Sequence, residues 1–129
     1  MRNDITTIED IRLLVDTFYD QVRKDMLIGP IFIGIIRDQW PAHLEKMYRF
    51  WQTVLLDERT YSGTPFLPHA KMPLEWKHFE RWLQIFDETT DALFAGEKAE
   101  RAKWQGRRMA ELFHSKMEYY KNNSGTPLM

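Results

Sequence analysis

The segment Tyr61-Ser62-Gly63-Thr64-Pro65-Phe66-Leu67-Pro68-His69 lies between two long stretches of helical periodicity and ends in a histidine. With Pro73, its prolines leave room for little more than one turn of helix around His69. Proline fixes its own φ and removes a backbone donor, so such a segment is short and stiff. A histidine on a stiff connection between two apolar helices is placed to hold something fixed, although an unliganded loop histidine is the simpler alternative.

On both sides of this segment, apolar residues recur at the three-and-four spacing of buried helix faces. The sequence predicts long helices over residues 6–25, 38–56, 74–94 and 97–120, with a short apolar helix or turn at 31–36. Thr6 with Glu9, and Asp38, are the expected caps, and Pro41 falls in a first helical turn, where proline is tolerated. No strand-like alternation persists and no internal repeat is present, so the predicted class is all-α around one core.

The expected inward faces carry many aromatic side chains. The chain has five Trp, five Tyr and eight Phe, and aromatics bury a large area per residue, so a dense core is a sufficient explanation for most of them. The main residues expected to face inward are Tyr19, Trp40, His43, Met47, Phe50, Trp51, Val54, Trp76, Phe79, Trp82, Leu83, Phe86, Leu93, Ala102, Met109, Leu112, Phe113, Met117 and Tyr120.

Length and composition narrow the class of protein. The 129 residues predict one domain, with an ordered helical core over about 7–120 and a flexible polar tail at 121–129. Eighteen basic and nineteen acidic residues nearly cancel, which gives no footprint for nucleic acid or an anionic membrane. The absence of cysteine excludes disulfides and thiolate metal sites. The longest apolar run, 26–36, is too short to span a bilayer, and no signal peptide is visible, so a cytoplasmic location is expected.

The four histidines lie on separate predicted elements, and no H-x-x-x-H pair occurs. A zinc site is therefore not expected, because its ligands would need close spacing. A bundle di-iron site is not expected either. Neither a nucleophile elbow nor a Gly-rich phosphate loop is present. One arrangement does fit. A flat apolar cofactor with one imidazole ligand could lie between the helix carrying His43 and the segment carrying His69, with Tyr19, His43 and Trp82 facing inward from three helices.

These residues resemble a known family. Similar motifs recur, in the same order, in truncated haemoglobins: Phe18-Tyr19, Gly29-Pro30-Ile31-Phe32, Trp40-x-x-His43, Phe50-Trp51, Tyr61-x-Gly63-x-Pro65-x-x-x-His69 and Arg81-Trp82-Leu83. Their order and spacing are most similar to group III, because the glycine pairs frequent in groups I and II are absent. The resemblance covers roughly residues 7–120.

The resemblance implies a two-over-two helical sandwich, a globin-like fold that encloses b-type haem. It makes His69 the proximal ligand of the iron, His43 the distal histidine, and Tyr19 and Trp82 the other distal donors. It also assigns the haem pocket, with Phe32, Met47, Phe50 and Trp51 as lining residues and Lys46, Arg49 and Tyr61 as candidates for the propionates.

Two function classes follow: a haem protein for diatomic ligands, and a haem-free helical interaction module whose aromatics are only core. Within the first class, oxygen storage or sensing competes with redox chemistry. Two hydrogen bonds of about 1.5–3 kcal/mol each would slow oxygen release by about two to four orders of magnitude. That favours nitric oxide dioxygenase-like or peroxidase-like chemistry, with oxygen, nitric oxide or peroxide as small ligands. It leaves room for a reductase partner, and neither nucleic acid nor a membrane is an expected partner.

Overall fold

The computed structural model describes residues 2–61 and 74–122, with side chains to residue 119, and these ranges contain helices but no strand. The helices are α1 (Ile8–Lys24), α2 (Gly29–Ile36), α3 (Trp40–Leu56), α4 (Trp76–Leu93) and α5 (Glu97–Asn122). The predicted all-α class is confirmed. In the described ranges, no helix has the length and apolar character needed to cross a membrane.

Each of the five helices packs against at least one other. Helix α1 contacts α3 and α4, and α5 contacts α4 and α3, while the short α2 lies against α1. This arrangement is the helical sandwich that the resemblance implied. Fully burying a large apolar side chain stabilises the fold by about 1.5–3 kcal/mol. The residues buried at the centre are Ile11, Leu14, Val15, Phe18, Val22, Leu55, Phe86, Ala99 and Ala102.

The cap of α1 lies one residue later than predicted. Thr7, not Thr6, is the N-cap, and its side chain accepts a hydrogen bond from the Asp10 N–H at 3.2 Å. The Asp10 carboxylate in turn accepts from the backbone N–H groups of Thr7 and Thr6, at 3.1 and 2.9 Å. The predicted pair with Glu9 is therefore wrong. Asp10 takes the place predicted for Glu9 because its one carboxylate accepts two backbone N–H groups that would otherwise be unpaired at the start of the helix.

The predicted cap of α3 is also wrong. The N-cap is Gln39, without a side-chain capping bond, and Asp38 instead accepts from the Gln39 side-chain amide at 3.3 Å. Pro41 does lie in the first turn of α3, as predicted. Since Pro41 has no N–H, one of the donors that a capping side chain would bind is missing.

Two side chains expected in the core are partly exposed. Trp76 is 36% exposed, because it is the first residue of α4 and lies at the margin of the packed region. Leu112 is 47% exposed, because Ala110 and Met117 occupy the buried face of α5 and Leu112 points to the other side. The side chain of Tyr120 lies outside the described residues.

The first residues of the chain hold the start of α5. The Asp4 carboxylate accepts from the backbone N–H groups of Lys98 and Ala99, each at 2.9 Å. Burial opposes ionisation of Asp4, but these donors and the Ile5 N–H hold its pKa below the usual value. Gly96 has φ +143°, and a Cβ there would lie 2.5 Å from the Asp4 Cγ. Only glycine suits this corner, both for its backbone conformation and for its space.

Candidate functional site

Tyr19 and His43 form a hydrogen-bonded pair between α1 and α3. The distance from Tyr19 Oη to His43 Nε2 is 3.0 Å, and the ring centroids are 5.1 Å apart. Tyr19 is buried, and burial raises its pKa far above the ordinary value, so the phenol stays neutral and keeps its proton. Two of the three predicted distal donors therefore lie together in the structure. Which of the two atoms donates depends on the imidazole tautomer.

Three aromatic side chains hold Tyr19 edge-on. Its ring centroid lies 4.9 Å from Phe18, 5.8 Å from Trp40 and 6.0 Å from Phe32. Such edge-to-face pairs are worth roughly 0.5–1.5 kcal/mol each beyond their burial. These three contacts restrict the Tyr19 ring, which favours one fixed direction for the hydrogen bond of its hydroxyl.

Trp82, the third predicted donor, is separated from this pair by the ring of Phe18. It stacks on Phe86 with 5.3 Å between centroids and 5° between planes, and Phe86 stacks in turn on Trp51 at 5.1 Å. Phe18 touches both Trp82, at 5.3 Å, and Tyr19. The Trp82 indole N–H has no hydrogen-bond acceptor among the residues that the structure describes.

The predicted pocket-lining residues border the same core. Phe50 is buried, while Phe32, Met47 and Tyr61 are half-buried and pack against the central cluster. Tyr61 meets Phe50 edge-on at 5.3 Å, and its backbone N–H donates to Thr53 Oγ1 at 3.1 Å. Half-buried apolar side chains next to an imidazole and a phenol are a chemically suitable lining for a flat apolar cofactor.

The two basic candidates for the propionates differ in their partners. Arg49 forms an ion pair with Glu45 at 2.8 Å and donates to Gln52 Oε1 at 3.0 Å. Lys46 is exposed, and no carboxylate in the described ranges lies within ion-pair distance of it. Lys46 could take an acidic group without giving up a partner, whereas Arg49 would have to exchange one.

His69 and its segment, residues 62–73, lie outside the described residues. Two Glu-x-x-His sequences end at His78 and His114, but neither forms a metal site in the described ranges, where no three metal-ligating side chains cluster. His78 Nδ1 accepts the Glu75 N–H at 2.8 Å as part of a helix cap, and His114 Nε2 lies 3.6 Å from the Glu118 carboxylate.

An ion pair that the sequence did not indicate joins the end of α1 to α4 beside the site. Asp25 Oδ1 accepts from Arg81 Nε at 2.6 Å, and Asp25 Oδ2 accepts from the N–H groups of Leu27 and Ile28. The Asp25 side chain is only 6% exposed. Burial opposes its ionisation, but the Ile28 N–H and Arg81 hold its pKa below the usual value. This contact ties the end of α1 to the residue next to Trp82.

Asp25→Asn is expected to lower the free energy of unfolding by about 1–2 kcal/mol at pH 7, because a half-exposed arginine moderates the loss. The folded-state pKa of Asp25 is depressed, so its contribution is present above the ordinary carboxyl pKa and is lost as pH falls through the folded value. The difference between the variant and the wild type should therefore shrink towards pH 3. Urea unfolding at both pH values measures it, with Asp20→Asn, exposed on the same helix, as the control. A pH-independent difference would contradict the ion-pair explanation.

Comparison with known proteins adds to this geometry. Residues 3–127 match the profile of the family described as bacterial-like globins. The chain is 36% identical over 98 residues to the Group 3 truncated hemoglobin ctb of Campylobacter jejuni, which covers 73% of this chain and 77% of that protein. The structure superposes on the crystal structure of a group III truncated haemoglobin from the same organism with a TM-score of 0.82 and 30% identity, over 91% of this chain and 95% of the other.

Proposed function

Because this chain belongs to the bacterial-like globin family and is a group III truncated haemoglobin, we propose that it holds haem b, with the Tyr19–His43 pair on the ligand side. Membership of the globin family implies haem binding, and globins bind small diatomic ligands such as oxygen. The observation that carries the proposal is the 3.0 Å Tyr19–His43 hydrogen bond, which joins two of the polar positions that the family resemblance assigned.

The residues that would hold the haem come from α2, α3 and the connection between α3 and α4. We propose His69 as the axial ligand, Phe32, Met47 and Phe50 as apolar contacts, and Lys46 as the first choice for a propionate. We also propose Trp51 as a lining residue of the pocket. Arg49 and Tyr61 are further candidates for the propionates. When bound, the haem iron supplies the coordination position at which a diatomic ligand binds.

The distal side chains would act as hydrogen-bond donors to that ligand. Tyr19 keeps its proton because burial raises its pKa, and Trp82 has an indole N–H that no described residue accepts. Tyr19 and His43 already bond to each other, so a ligand that takes a bond from either must replace the other partner. The net gain is then smaller for Tyr19 and His43 than for Trp82, whose donor gives up no protein acceptor among the described residues.

Strong retention of oxygen favours chemistry over delivery. Two donors at about 1.5–3 kcal/mol each would slow release by about two to four orders of magnitude, and the lower figure applies where Tyr19 or His43 exchanges a bond that it already makes. We therefore propose nitric oxide dioxygenase-like or peroxidase-like turnover, supported by a reductase, over oxygen storage or sensing. Nitric oxide and peroxide are the further small ligands, and the cytoplasm is the proposed compartment. Family membership disfavours the haem-free interaction module.

Absorption spectra of the ferric, ferrous and oxygenated protein test this proposal. We expect a Soret band in the purified protein and an oxygenated form that releases oxygen slowly but is consumed rapidly by nitric oxide. A protein without a Soret band, even after haem is added, would contradict haem binding. Fast, reversible oxygen release without reaction with nitric oxide or peroxide would instead favour storage or sensing.

A further inference from the structure

A cation stacks on the aromatic ring that adjoins the distal pair. The Arg23 guanidinium carbon lies 3.9 Å from the centroid of the Trp40 ring. Trp40 meets Tyr19 at 5.8 Å and His43 at 6.0 Å, in both cases edge-on. Arg23 lies one helical turn after Tyr19 on α1, and Trp40 lies one turn before His43 on α3. The stacked pair therefore covers the Tyr19–His43 pair from the helix ends.

The charge of Arg23 is not neutralised by the protein around it. No carboxylate in the described ranges lies within ion-pair distance of Arg23, and the nearby Asp25 carboxylate is taken by Arg81. The Arg23 Nε atom is buried and has no hydrogen-bond partner among the described residues. Burying an unpaired donor on a cation is costly, and a cation–π contact offsets only part of that cost. Such a group is poised to accept negative charge nearby.

We propose that Arg23, held in place by Trp40, makes the distal pocket selective for small anions such as azide, fluoride or nitrite; this rests on the haem function proposed above. Contacts of 3.9 and 6.0 Å place the guanidinium carbon within about 10 Å of the His43 ring, a distance comparable to the Debye length, so salt screens its field only in part. A positive potential beside an apolar pocket raises the local concentration of anions and stabilises them once bound. Neutral ligands gain nothing from it.

The test compares three variants by equilibrium azide binding to the ferric protein and by carbon monoxide association with the ferrous protein. Arg23→Met removes the charge and keeps a side chain of similar length over Trp40. Arg23→Lys keeps the charge. Arg108→Met is the matched control, because it removes a guanidinium that lies 5.5 Å from the exposed Trp104 ring on α5.

Arg23→Met should weaken azide binding by about fivefold to twentyfold and leave the carbon monoxide rate almost unchanged. Arg23→Lys should keep most of the azide affinity, and Arg108→Met should keep all of it. The wild-type azide affinity should also fall as ionic strength rises, and this salt dependence should be weaker in Arg23→Met.

Other results would overturn the assignment. Equal changes in azide and carbon monoxide binding would show that Arg23 only positions Trp40, and unchanged azide binding would remove Arg23 from the pocket. If Arg23→Met fails to fold, a wild-type azide affinity that does not change with salt contradicts the proposal in its place. Haem content and the Soret band are measured first, because they distinguish failure of the proposed haem function from failure of the role of Arg23. A wild type without haem overturns the proposed function, whereas normal haem with unchanged azide binding overturns only the role of Arg23.

Discussion

Replacement of His69 by alanine is expected to abolish stable haem incorporation, because an axial imidazole is the one firm bond between a globin and its iron. In the sequence, the residue follows Pro65 and Pro68, and because proline restricts the backbone we expect the ring of His69 to be held in place. Haem content and the Soret band of the purified variant measure the effect. Added imidazole should restore part of the spectrum, because the free ligand can occupy the position that the side chain leaves.

The other histidines of the later helices provide controls for His69→Ala. His78 accepts a backbone hydrogen bond at the start of α4, and His114 lies beside Glu118, so both have structural contacts of their own. His78→Ala and His114→Ala should keep normal haem content even where they lower stability. Normal haem content and an unchanged spectrum in His69→Ala would reject it as the ligand and transfer the assignment to His78.

Removal of the Tyr19 hydroxyl is expected to speed oxygen release by roughly tenfold, the lower end of the range for one hydrogen bond to a charged acceptor, because the phenol must exchange its bond to His43 for the bond to oxygen. Tyr19→Phe keeps the ring and its three edge contacts, so the change should leave the fold intact. Trp82→Phe should act in the same direction, since phenylalanine can still stack on Phe86 but lacks the indole donor. Oxygen dissociation measured by stopped flow gives both rates.

The double variant decides whether these donors serve one ligand. Tyr19→Phe removes the hydrogen bond between Tyr19 and His43, and His43 can then take over as a donor to the ligand, so the single variants should understate each contribution. The combined effect on the oxygen off-rate should then be strongly non-additive. Strict additivity would mean that Tyr19 and Trp82 act separately. No change in oxygen release, oxygenated-state stability or peroxide reactivity would reject the distal assignment, although His69 could stand.

Helix positions were predictable wherever one face of a helix is apolar. The starts of α1 and α3 were less predictable. For α1, the choice between Thr6 and Thr7 depends on where the backbone first turns, and both residues have an acidic residue three positions later. Trp76 and Leu112 carry the right residue type for a core, but Trp76 lies at the margin of the packed region and Leu112 points away from the buried face of α5. Burial of that kind follows from packing between elements, and local periodicity does not contain it.

In the candidate site, too, features of single helices were predictable and contacts between helices were not. Periodicity pointed Tyr19 and His43 inward, but their hydrogen bond spans 24 residues of sequence and depends on how α1 crosses α3. Likewise, the Asp25–Arg81 ion pair joins residues 56 positions apart. Arg23 gave no signal at all, since an arginine on the polar flank of a helix is ordinarily solvated. Residue roles that depend on one helix were thus predictable, and those that depend on two were not.

The cap that Asp4 places on α5 links residues 94 and 95 positions apart. A contact of such long sequence separation forms late in folding, because the loop that it closes includes most of the chain. The start of the last helix is consequently protected by the completed fold and not by its own local structure. The amide protons of Lys98 and Ala99 should therefore exchange with deuterium at the rate of global unfolding, unlike those at a freely fraying helix end.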